Sequence, residues 1–108
     1  MKQEEIEIQH IIVEKVADKQ LLPQSSFQQF VESLAQYIHQ LINHDFSRLV
    51  QLLYRMDISE KKLKQTLATS QTDAGLLIAN MMIERELQKI QSRKQFKNHS
   101  DIPDDEKW

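Results

Sequence analysis

The run from Ser26 to Met56, "SFQQFVESLAQYIHQLINHDFSRLVQLLYRM", decides the fold. Within it Phe27, Phe30, Val31, Leu34, Tyr37, Ile38, Leu41 and Ile42 recur at three- and four-residue spacing, the period of one buried face on an α-helix. Its start is marked chemically. Pro23 precedes it, and Ser25 with Gln28 and Ser26 with Gln29 both match the reciprocal capping pattern that satisfies free N–H groups at a helix entrance. The stripe carries on through Phe46, Leu49, Leu53 and Met56, so the pattern allows a single helix over 26–56. Two helices are favoured, because Asn43 suits a helix end and Asp45 suits a new N-cap.

Downstream, "MDISEKKL" (56–63) reads as a corner between helices. With Ser59 as N-cap, Ile58 stands just outside the helix and Leu63 falls at its fourth position, a pairing that sets the angle at which the chain enters. Glu60 then lies in the first turn, favourable for the helix dipole, and four residues before Lys64. This helix is expected to end near "ATSQT" (68–72), and Thr72 or Asp73 can cap a last long helix running to about residue 95. Its first half, from Ala74 to Ile83, has almost no polar side, as in a segment surrounded by other helices. From Glu84 onward only Leu87 and Ile90 hold an inner face, so the helix emerges toward solvent. Gly75, the single glycine, allows a close helix crossing or simply occupies the first turn.

Upstream, Ile6, Ile8, Ile11, Ile12, Val13 and Val16 can form a helix face, whereas "EIEIQ" alternates like a strand. Helix is the expectation over 5–16, since a lone strand has nothing evident to pair with except its copy in another subunit. Residues 1–96 then make one helical bundle domain, and "KNHSDIPDDEKW" (97–108) is expected to be a mobile acidic tail. The expected architecture is all-α, a compact bundle of four or five helices with the segment from Ala74 to Ile90 at its centre.

Composition agrees. A chain of 108 residues suits one domain with a real core, and 40% apolar and 28% charged residues are ordinary for a soluble protein. One glycine and two prolines, Pro23 and Pro103, leave few turn residues for a hairpin-rich sheet or a phosphate-cradling loop. No cysteine means no disulfide, no thiolate nucleophile and no cysteine-ligated metal, which suits a reducing cytosol. The opening "MKQEEIEIQH" carries acids where a signal peptide would be apolar, and nothing approaches the roughly 20 apolar residues of a membrane span. A cytoplasmic location is expected, with no membrane contact.

Little in the chain suggests chemistry. Glu7 and His10 share a helix side at the spacing used in di-iron bundles, which need that motif on two helices, and here it occurs once. Glu84 and Glu86, the obvious other acids on a helix, read as solvated, so no metal or other cofactor is expected. His39 and His44 are not stacked on one face; His39 reads as a boundary residue, His44 as a loop residue and His99 as part of the tail. Tyr54, Arg55 and Asp57 read as a buried tyrosine body with its hydroxyl at the edge, beside a surface ion pair. No glycine-flanked serine elbow or loop suited to an oxyanion hole is present. The expectation is no enzyme and no catalytic residue.

One feature is basic. Arg85, Lys89, Arg93 and Lys97 recur every four residues with Lys94 beside them and only Glu86 opposing, a stripe that can contact a partner or a nucleic-acid backbone, although serving the helix C-terminus and keeping it soluble is the favoured reading. Lys61, Lys62 and Lys64 extend it if the last two helices lie side by side. A helix-turn-helix over 59–90 fails at its recognition helix, where "DAGLLIANMM" is apolar. The run "LYRMDISEKKLKQTL" (53–67), followed by "DAGLLIANMMIERELQK" (73–89), resembles a pattern in small bacterial all-helical proteins, a likeness that implies the fold and carries over no functional residue. The functional expectation is a non-catalytic protein–protein interaction or assembly module, in one form a homodimer, motivated by apolar stripes along 27–56 and 74–90 that exceed what one short chain covers. The alternative is a nucleic-acid accessory protein using the basic stripe.

Overall fold

The computed structural model describes residues 1–69 and 73–101, with side chains described as far as Lys94. Those residues form five helices and no strand: α1 (Gln3–Val16), α2 (Phe27–His44), α3 (Phe46–Arg55), α4 (Glu60–Thr69) and α5 (Ala74–Asp101). The expected all-α bundle is what forms, and the segment with strand-like alternation near the N-terminus is helical. Its amphipathic face outweighs the local alternation, because Ile8, Ile12 and Val16 lie on one side and all three are buried.

The boundaries follow capping chemistry. Ser26 accepts a hydrogen bond from the Gln29 backbone N–H at 3.1 Å, so of the two serine–glutamine pairs the second starts α2. Asp45 ends α2 and caps α3, its carboxylate accepting from the Arg48 N–H at 3.2 Å, and 26–56 is therefore two helices. Ser59 Oγ accepts from the Lys62 N–H at 3.2 Å and starts α4. Asp73 accepts from the Leu76 N–H at 3.2 Å and starts α5, while the other suggested cap, Thr72, lies outside the described residues. α5 runs past the expected end near 95 to Asp101, and the rest of the anticipated acidic tail, 102–108, also lies outside them.

α5 is the central element, packed chiefly on α2 and then on α1. Gly75 makes the first crossing close. A Cβ built there would stand 2.7 Å from the Ala35 carbonyl oxygen and 2.6 Å from the His39 ring, so only hydrogen fits between the backbones. Farther along, Ile78, Ala79, Met82 and Ile90 enter a core shared with Ile8 and Ile12 of α1, Phe30, Leu34 and Ile38 of α2, and Leu49, Leu53 and Met56 of α3. α4 contributes no buried residue. It is held at its start, where Ile58 and Leu63 each pack against the core. Among the described residues no helix is long and apolar enough to cross a membrane.

Candidate functional site

α3 is pinned to α1 on one side and bare on the other. Tyr37 donates to Asp18 at 2.8 Å, and Arg48 donates through Nε to the Tyr37 hydroxyl at 3.3 Å and through Nη2 to the Val16 carbonyl at 3.1 Å. The Gln20 N–H and the Tyr37 hydroxyl hold the Asp18 carboxyl below its usual 3.8, whereas burial, with the Asp18 charge nearby, pushes the Tyr37 phenol above its usual 10.0. Arg55 donates to the Lys15 carbonyl at 2.9 Å. These bonds set the roll of α3 about its own axis, and the roll sends Leu49, Leu52, Leu53 and Met56 inward.

That roll corrects two sequence expectations. Phe46, read as part of the inner stripe, is 60% exposed, and Tyr54, read as a buried body, is 83% exposed. Leu52 takes the inward place instead, because the turn at Asp45, with φ −156° and ψ 68°, restarts the helix in a new register. Val50, between the two aromatic residues, is 50% exposed. Phe46, Val50 and Tyr54 therefore form an outward apolar row at four-residue spacing along one face.

The row borders a groove of about 440 Å3 between α3 and α4, closed at its base by Ile42, Leu49, Leu53 and Ile78 and on the far side by Leu63 and Leu67. Among the described residues its only charged lining groups are Glu60 and Lys64, and they pair with each other at 3.3 Å. An apolar trough flanked by projecting rings can take up the apolar face of another polypeptide segment.

The basic stripe is used differently. Arg85 donates to the Asp57 carbonyl at 3.2 Å and Lys89 to the Met56 carbonyl at 3.3 Å, so both satisfy the C-terminal end of α3. Lys94 reaches Glu4 of α1 at 3.5 Å. Arg93 is exposed, makes no ion pair among the described residues, and lines a groove with Lys15, Arg85 and Lys89. The Lys97 side chain lies outside the described residues.

Beneath this groove is a residue that sequence reasoning misplaced. Glu86, read as solvated, is 2% exposed, with Lys15 at 2.9 Å and Lys89 at 3.6 Å. Burial and the neighbouring Lys15 ammonium lower the Lys89 pKa below its usual 10.5, against the pull of Glu86. The spacing contained the signal, since 79, 82, 86 and 90 keep one helical register through Ala79, Met82 and Ile90.

The remaining polar candidates are dispersed. His39 meets Asp73 at 2.6 Å across the α2–α5 crossing, and His44 is the last residue of α2 rather than a loop residue. Buried Gln9 accepts from the Gln24 N–H at 2.7 Å and ties the loop before α2 onto α1. His10 is exposed and Glu7 half-buried; no group of three or more His, Asp or Glu side chains among the described residues is placed to hold a metal ion. Compared with known protein families, curated proteins and solved structures, the chain matches none.

Proposed function

We propose that the chain is a non-catalytic protein–protein interaction or assembly module acting in the cytoplasm, and that its docking site is the α3–α4 face. One observation carries the reading: Phe46, Val50 and Tyr54 project outward in a row from a helix whose other side already fills the core. Two aromatic rings and a valine aligned beside an apolar trough are what a partner's apolar face would cover, whereas scattered exposed apolar residues would need no explanation. Tyrosine and phenylalanine are also the residues that interfaces concentrate.

The test compares the parent chain with Val50→Arg, both tagged and recovered from the native host. Retention of a partner by the parent and its loss from Val50→Arg, with unchanged helical circular dichroism, is the expected result. Equal retention by both would overturn the assignment of the face. The rival reading, nucleic-acid contact through the basic stripe, draws support from Arg93 and from the cation-lined groove, but Arg85 and Lys89 already serve carbonyl groups of the fold. Release from a mixed nucleic-acid column by moderate salt, after retention at low salt, would favour it.

A further inference from the structure

The row on α3 has an internal symmetry. Phe46 and Tyr54 lie four residues to either side of Val50, so the helix shows the order ring, valine, ring in both chain directions. We propose that the occupant of this face is a second copy of the chain, with the two α3 helices packed antiparallel about a two-fold axis through Val50. The proposal rests on the docking reading above and names its partner.

In that arrangement Val50 meets its own equivalent on the axis, and Phe46 of each copy lies beside Tyr54 of the other. Such a contact is self-complementary, as a two-fold interface must be. The electrostatics permit it. Glu60 and Lys64 neutralise each other at the groove, and Ser47 and Gln51, which follow Phe46 and Val50 on α3, carry no charge. The third residue of that stripe, Arg55, is charged but is turned onto the Lys15 carbonyl, and in the antiparallel pairing the two copies' Arg55 residues stand at opposite ends of the contact, five residues from the axis.

Area sets the size class. An aromatic side chain offers roughly 150–250 Å2, and a stable association needs about 800 Å2 from each partner. The two rings at their observed exposure supply roughly a third of that. Val50, Leu67 and the groove walls extend the patch, because a ring of one copy seats between α3 and α4 of the other. The dimer belongs at the small end of specific interfaces, the size class of weak and transient association.

Sedimentation velocity from about 5 to 500 µM, a range that detects weak association, tests this. The parent should shift from monomer to dimer, and Val50→Arg, which sets two guanidinium groups against each other on the axis, should weaken the dimer at least tenfold. Tyr54→Lys, at the most exposed position of the row, repeats the test should Val50→Arg disturb the fold. The absence of cysteine makes a second readout clean. Val50→Cys, oxidised by glutathione disulfide with loss of two thiol protons and two electrons, should give a covalent dimer far faster than Gln36→Cys on exposed α2 surface. A parent that stays monomeric throughout, with equal cross-linking of both cysteine variants, overturns the second copy as occupant, as does a dimer indifferent to Val50→Arg and Tyr54→Lys. Were Val50→Arg nevertheless to lose a host partner, the docking reading would stand with a different occupant. If neither association nor retention responds, both readings fall.

Discussion

Two residues end helices in a conformation that costs side chains energy. Ala17 closes α1 with φ 52°, and Asp57 closes α3 with φ 60°. At the second, the Ile58 N–H reaches the Leu53 carbonyl at 3.1 Å and the Asp57 N–H reaches the Tyr54 carbonyl at 3.1 Å, the pair of bonds that glycine usually supports. Asp57 also lies 3.8 Å from Lys89, which offsets part of its strain, whereas Ala17 has no polar side chain to compensate. Ala17→Gly should raise stability by about 1 kcal/mol, seen as a higher urea midpoint with an unchanged slope. Asp18 gives the pH dependence. Its folded-state pKa lies below the usual 3.8, so its contribution is present above about pH 4 and is lost as pH falls through the folded value. Asp18→Asn should cost about 1 kcal/mol at pH 7, and denaturation measured from pH 6 down to 2 should show a shallower acid decline in the variant.

At the scale of elements, the caps were legible because their chemistry is local. Ser26, Asp45, Ser59 and Asp73 each lie within a few residues of the N–H they bind, so a one-dimensional reading finds them. The roll of a helix is not local. α3 is oriented by Arg48 and Arg55 reaching carbonyls of α1, contacts across 32 and 40 residues, and so the outward turn of Phe46 and Tyr54 escaped its own periodicity. Glu86 was missed because residue type outweighed register. A carboxylate at a core position is stable only with cations beside it, and Lys15 comes from a different helix. Gly75 was legible as a special position, but which of its two uses applied depended on α2 lying against it. Gly75→Ala measures that crossing. Alanine improves helix propensity by about 1 kcal/mol, yet its Cβ would press on the Ala35 carbonyl oxygen, a backbone atom with little freedom to move. The collision should win, with a net loss of about 1–2 kcal/mol in urea denaturation. A gain in stability would mean that the crossing relaxes.

For the whole molecule, the question is whether the exposed row serves the fold at all. The core closes without it, since the buried set draws on α1, α2, α3 and α5 and leaves out Phe46, Val50 and Tyr54. α4 is fastened to that core through Ile58 and Leu63. Replacing Tyr54, which is 83% exposed, with glutamine would remove apolar surface that is mostly in water already and improve helix propensity at that position. The variant Tyr54→Gln should therefore match the parent within about 1 kcal/mol when both are unfolded at low concentration, where association adds nothing. At high concentration the parent alone should gain melting temperature, because ligation of the folded state by a second copy stabilises it by mass action. A loss of several kcal/mol under dilute conditions would place the Tyr54 ring in the core's service and remove the motive for a docking face. Equal stability when dilute, with a concentration-dependent gap, would separate what folds this chain from what it assembles with.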